Sequence, residues 1–186
     1  MRTDFWPKGY VCLKSQCFSD GNYSILPIHL NNVEDIRKWR NDQINVLRQE
    51  NPISSSTQQS YFQDRVLPNF FSFQPEQILF SLYYQNSLIG YGGLVHISWE
   101  NFSGEMSFLV DKSRAQNPDI YSEDLSNFIK LIRKVASELG LSKITTETFA
   151  HRSFHIQILE KNGFYEILHQ GEKSSIYHLI EVELND

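Results

Sequence analysis

The chain has 186 residues, 40% of them hydrophobic and 13% aromatic, enough for one sizeable core and short for two full domains. Its net charge of -5, with Lys and Arg scattered along the chain, argues against a nucleic-acid binder, which carries a basic face. No apolar stretch approaches the length of a membrane span, and the opening MRTDFWPKGY has no apolar segment of the secretory kind, so a cytoplasmic protein is expected.

The first predicted elements form a hairpin, YVCLKSQCF turning at SDGN into YSILPI. That reading puts Cys12 and Cys17 in one extended stretch, about 16 Å apart and beyond disulfide reach. NNVEDIRKWRND reads as a helix, with Asn32 as cap, Asp35 in the first turn, and Val33, Ile36 and Trp39 or Arg40 sharing a face. A second helix spans STQQSYFQDRVL and stops at Pro68. Three strands follow, ILFSLYY, SLIGYGGLVHIS and GEMSFLVD, with hairpin turns at Asn86-Ser87 and at WENFSG.

The clearest helix comes next. Leu125, Phe128, Ile129, Ile132, Val135, Ala136 and Leu139 recur at spacings of three and four, and Gly140 closes it. KITTETF reads as a strand, SFHIQILEKNGF as a short helix ending at Gly163, and YEILHQ and SSIYHLIEVEL as two final strands. This order predicts a mixed α/β sheet with helices packed on its faces. The reading is one domain over 1–186, in which 1–22 is an N-terminal extension contributing a hairpin strand.

Several side chains admit two readings. The glycines of GYGG lie in an apolar strand with no helix after it, which favours close packing or a bulge over a phosphate loop. His151 and His155 are four apart but lack an evident third ligand, and no metal is expected. Arg40 and Arg48 could read a phosphate or carboxylate by bidentate pairing, or form surface ion pairs while Trp39 packs inside. Trp99, at the tip of HISWENF, could stack on a sugar or base, or cap the sheet.

Taken together, IRKWRND, the run from LIGYGGL to EMSFLVD, the long helix and ILEKNGF resemble the GNAT superfamily of acetyl-CoA-dependent N-acetyltransferases, over Tyr23 to Glu183. They are most similar to the branch containing ribosomal-protein N-terminal acetyltransferases and bacterial aminosugar acetyltransferases of surface-glycan pathways. The resemblance implies a GNAT-type fold: a mixed, mostly antiparallel twisted sheet with splayed central strands and helices on both faces. It implies that the pantetheine arm of acetyl-CoA docks between EMSFLVD and KITTETF, on the backbone of Phe108, Leu109 and Val110, like an added strand. The pyrophosphate would meet the start of the long helix. Glu105 becomes the candidate base and Glu147 its alternate, against the plain reading of a solvent-facing strand carboxylate.

Three departures from the family's pattern stand out. The pyrophosphate motif, usually Gly-x-Gly-x-Gly or Ala after an Arg or Gln, reads RAQNPDIYSE, without glycine. Arg114, Gln116, Asn117, Ser122, Arg152 and His155 are then the candidate cofactor contacts, Arg152 and His155 standing where the N-terminal branch often has Asn and Ser. The tyrosine that protonates the leaving thiolate in many members is Leu159 here. The function implied is acetyl transfer to a primary amine on a small molecule, preferably a nucleotide-linked aminosugar, with Arg40, Arg48 and Trp99 on the acceptor side. The alternatives are a protein N-terminal acetyltransferase and, from another class, a GNAT-fold binding module that has lost catalysis. Neither a nucleic acid nor a membrane is an expected partner.

Overall fold

A computed structural model describes residues 6–47, 49–166 and the backbone of 179–180. The chain begins with a hairpin, β1 (Phe18–Asp20) and β2 (Tyr23–Pro27), followed by α1 (Val33–Asp42) and α2 (Ser55–Tyr61). Then come β3 (Ile78–Tyr84), β4 (Ser87–Ser98), β5 (Ser103–Val110), a single turn α3 (Lys112–Ala115) and the long α4 (Pro118–Glu138). β6 (Lys143–Thr146), α5 (Ser153–Lys161), β7 (Tyr165–Glu166) and β8 (Leu179–Ile180) follow. The sheet order is β1-β2-β3-β4-β5-β6-β8-β7. Every described pairing is antiparallel except β5 with β6.

Burial explains why the centre holds. Ile78 to Leu82 of β3 are buried at every position, as expected of a strand covered on both faces. The apolar stripe of α4 lies against the sheet, with Leu125, Phe128, Ile129, Ile132 and Val135 buried. A Cβ on Gly92 would collide with the Ser107 carbonyl oxygen and the Phe128 ring, so glycine lets helix and strands approach this closely. Asn117 caps α4 by accepting from Ile120 N–H, and Pro118 sits in the first turn, the placement both residues favour. Gly140, at φ +71, turns the chain out of the helix region.

Tertiary contacts override the sequence reading in several places. Residues 10–17 are turns and bends rather than a strand. Tyr10 is drawn into the core: its hydroxyl donates to Leu79 O and accepts from Leu79 N–H, both at 2.9 Å, and its ring stacks on Phe70. Cys12 and Cys17 are free thiols, but extension does not explain it, because the stretch between them is not extended. α2 does not stop at Pro68 either. The chain widens to a π-helix over Phe62–Val66 and tightens to a 3-10 helix over Leu67–Phe71. Pro68 lies in the first turn of that 3-10 segment, where a missing N–H costs little. Asn32 makes no cap bond to α1, and its Oδ1 accepts from the Ser81 hydroxyl instead. β6 ends at Thr146, so the second half of KITTETF leaves the sheet. Of the two expected final strands, only β7 and β8 fall within the described residues.

Candidate active site

The parallel pairing of β5 with β6 covers Ser103↔Lys143, Gly104↔Ile144 and Glu105↔Thr145, while β5 runs on to Val110 against β4. A gap therefore opens just past Glu105. Its edges are pinned: the Thr146 hydroxyl donates to Met106 O at 3.0 Å, and Gln43 Nε2 donates to Val110 O at 2.8 Å. Backbone groups alternate sides along a strand, so 106, 108 and 110 face the gap together. With Met106 O and Val110 O occupied, Phe108 is the residue between them whose N–H and C=O face the opening.

Three cavities meet at this gap. The first, about 300 Å³, is lined by Glu105, Ser107, Phe108, Thr146, Glu147 and Arg152, together with Arg40, His96 and His155. His96 reaches it from an irregularity in β4 between Val95 and Ser98, where the residue itself adopts φ +49. The second cavity, about 270 Å³, runs along Phe108, Leu109 and Val110 to Ala115, Tyr121 and the first residues of α5. The third, about 230 Å³, leaves the first past Val95 and Ser107 and is bounded by Arg40, Tyr61, Phe62 and Tyr91.

Much of the expected set converges. Glu105, Phe108, Leu109, Val110, Arg152, His155 and Arg40 all line one or more cavities, as does the alternate Glu147. Arg40 is held in place, Nη1 donating to the Tyr91 hydroxyl at 3.0 Å and Nε to Gln49 Oε1 at 3.2 Å. Trp39 is buried, with Nε1 donating to Asp111 Oδ2.

Other expected residues lie elsewhere. Trp99 lines none of the three cavities; its indole N–H donates to Pro75 O and its body packs against the core, the sheet-capping alternative. Arg48 lies outside the described residues. Arg114, Gln116, Asn117 and Ser122 are also absent from the three linings. Arg114 is committed instead to fully buried Asp124 through two bonds of 2.7 Å. The Tyr23 hydroxyl donates to the same carboxylate, and the guanidinium lies over Tyr84.

The loop before α4 has closed on itself. Asp111 accepts from the Ser113 N–H and hydroxyl; Ala115 N–H bonds Asp111 O, Gln116 N–H bonds Lys112 O, and Asn117 N–H bonds Arg114 O. Pro118 has no N–H, and Ile120 N–H goes to the Asn117 side chain. Burial pushes the Asp111 carboxyl up, but the bonds from Ser113 and Trp39 outweigh it and hold it below the usual carboxylate range. A helical turn thus takes up the amides that a glycine loop would leave open to a phosphate.

On the other wall, Arg152 Nη2 donates to the Tyr121 hydroxyl at 2.9 Å, and that hydroxyl lies 2.8 Å from His155 Nδ1. Burial, and then the Arg152 charge, push His155 well below its ordinary pKa, so the ring is neutral. Burial raises Tyr121, against the pull of Arg152. Sequence reasoning missed Tyr121 and Gln43, though each left a trace. Tyr121 extends the α4 stripe one turn before Leu125, and Gln43 lies four residues after Trp39 on the same helical side.

The sequence profile of the acetyltransferase (GNAT) domain matches residues 25–177. The chain belongs to the GNAT acetyltransferase family. No curated protein matches it. Among solved structures it is similar to spermidine N-acetyltransferase from Vibrio cholerae in complex with CoA and spermine, at 14% identity and a TM-score of 0.72, covering 88% of this chain and 97% of that one. The dodecameric structure of the Vibrio cholerae enzyme in an intermediate state gives 15% identity and a TM-score of 0.70, covering 88% and 95%. At such identities the likeness carries the fold.

As a GNAT N-acetyltransferase the protein takes its acetyl group from acetyl-CoA. The gap fits the pantetheine arm, since Phe108 offers a donor and an acceptor to a group with amides of its own. The closed loop does not offer the usual amide cradle for the phosphates, which leaves side chains and the α5 end of the second cavity to meet them. When bound, acetyl-CoA supplies a thioester carbonyl for an amine to attack. Glu105 stands where the first cavity meets the last paired rung of β5 and β6.

Proposed function

We propose that the protein acetylates the primary amine of a small acceptor that also carries anionic or hydroxyl groups, a nucleotide-linked aminosugar being preferred. Glu105 serves as the base, directly or through water. The observation that carries the reading is the third cavity, which leads from the Glu105 end to the Arg40–Tyr91 pair and the rings of Tyr61 and Phe62 with no carboxylate among the described residues of its lining. A phosphate or carboxylate would pair with Arg40, and a sugar or base ring would lie against Tyr61. A polyamine places further ammonium groups beyond the reacting amine, and Arg40 would repel them. Arg48 belongs to the acceptor side in this reading. The chain works as one domain in a reduced, cytoplasmic setting.

The test is a panel of nucleotide-linked aminosugars, short peptides and polyamines, followed by release of free CoA. Fastest turnover with the aminosugars is expected. Turnover confined to peptides or polyamines overturns the acceptor reading, and silence across all three favours the binding module.

A further inference from the structure

Leu159 occupies the position where many family members carry their thiolate-protonating tyrosine. It is fully buried and lines none of the three cavities. The leaving sulfur still needs a proton. His155 lines both the first cavity, with Glu105, and the second, beside Phe108 to Val110. It therefore stands at the joint between the acetyl end and the pantetheine arm, where the sulfur of a bound thioester belongs.

The hydrogen-bond roles around it follow from chemistry. Arg152 can only donate, so the Tyr121 oxygen accepts from Nη2. The hydroxyl proton has no other partner among the described residues and goes to His155 Nδ1. That fixes the tautomer with its proton on Nε2, which has no partner among the described residues.

We propose that His155 is the catalytic acid, giving its Nε2 proton to the departing sulfur, with Tyr121 and Arg152 as the positioning residues behind it. The inference rests on acetyl transfer by this family and not on the choice of acceptor. As the C–S bond breaks, the electron pair stays on sulfur and His155 passes it the Nε2 proton. Nδ1 takes the Tyr121 hydroxyl proton in the same movement, so no imidazolate forms. The phenolate left on Tyr121 rests against the Arg152 guanidinium, and solvent returns the proton shed by the amine. The tyrosine acid is thus kept in function, moved from α5 to α4 and made to act through a histidine.

Other charged groups face this chain from each side. Asp124, on α4, is neutralised by Arg114. Glu105 and Glu147 lie across the first cavity, and His151 stands exposed before α5. The carboxylates oppose a phenolate, while Arg152 is the cation in contact with it.

The experiment measures kcat for Tyr121→Phe and His155→Gln, with thermal unfolding of each, and titrates the thiol of bound CoA by thiolate absorbance. Each variant should lose about a hundredfold in kcat and the double variant little more, because the residues act as one unit. In the wild type the Nε2–H should lower the bound thiol's pKa by about one unit, and Tyr121→Phe should remove much of that shift. Nitrogen NMR of wild-type His155 should show the neutral Nε2–H tautomer from about pH 6.5, the ordinary value, upward, a readout that needs neither turnover nor a folded variant. Unchanged kcat in either variant, an unshifted thiol in the wild type, or the opposite tautomer overturns the proposal. Failure of CoA to bind overturns it too, whereas failure of aminosugars alone as acceptors leaves it standing.

Discussion

Two helices start beside the same gap, and they are built in opposite ways. At the start of α4 the chain takes up the amides of Ser113, Ala115, Gln116, Asn117 and Ile120 through α3, Asp111 and Asn117, and exposes Asp119 and Glu123. At the start of α5, Arg152 occupies the cap position without a side-chain cap bond, and Arg152, Ser153, Phe154 and His155 line the second cavity. A helix dipole attracts anions chiefly through N–H groups that nothing else has taken. The contrast teaches that a GNAT fold can close its usual phosphate end while keeping the arm of the cofactor and the chemistry at the other end.

The largest expected effect tests the closed side. Arg114→Ala should lower stability by about 3–5 kcal/mol, because it leaves the carboxylate of buried Asp124 without its cation, held by the Tyr23 hydroxyl. Denaturant unfolding measures it, and CoA affinity in the fraction that remains folded should hold. A variant of unchanged stability with weakened CoA binding would make Arg114 a phosphate ligand and break the contrast.

Next comes the open side of the gap. Glu105→Gln should lower kcat about a hundredfold or more while leaving the CoA dissociation constant unchanged. A wild-type rate across about pH 6 to 9, the range that brackets amine deprotonation, would remove Glu105 as base.

The same contrast sets the affinity for the donor. Losing about two good amide–phosphate bonds costs on the order of 3 kcal/mol, which puts the CoA dissociation constant nearer ~100 μM than ~1 μM. Calorimetry at two ionic strengths decides it. Binding near ~1 μM that collapses with added salt would mean that α3 opens and gives its amides to the phosphates.

How much of this was legible beforehand depends on how local the signal is. β3 and β4 were readable residue for residue, because apolar runs between turn residues are decided over short distances. The α4 stripe was readable for the same reason. The missing glycines before α4 were plain in the sequence, but not what replaced them. Arg114 is a candidate phosphate neighbour in one dimension; only its bonds to buried Asp124 and its place over Tyr84 turn it inward. Tyr10 defeated a strand pattern through a contact 69 residues away, which no window of sequence contains. The Tyr121–His155 pair spans 34 residues and was hidden for the same reason: His155 stood out only as a candidate cofactor contact, and Tyr121 looked like ordinary core.

The smallest effect concerns the buried imidazole at the start of α5, and its sign is fixed. His155 is pushed well below its ordinary value of 6.5, by burial first and by Arg152 second. Below that value the unfolded chain takes up a proton that the folded chain refuses, so folding weakens as pH falls. The loss should begin near pH 7 and steepen as pH falls through about 6.5, bounded by about 1.4 kcal/mol per unit. Asp111 and Glu138 act with the same sign lower down, because hydrogen bonds from Ser113 and Trp39 to the first and from Ser15 and Lys14 to the second overcome burial and depress both carboxyls. Their contribution is lost only as pH drops below about 4. The two windows separate the causes. Denaturant unfolding of His155→Gln between about pH 7 and 3 should lose the upper slope and keep the lower one. If the upper slope survives the substitution, the imidazole is not its source. The wall of the gap at α5 would then be as indifferent to pH as the closed loop at α4.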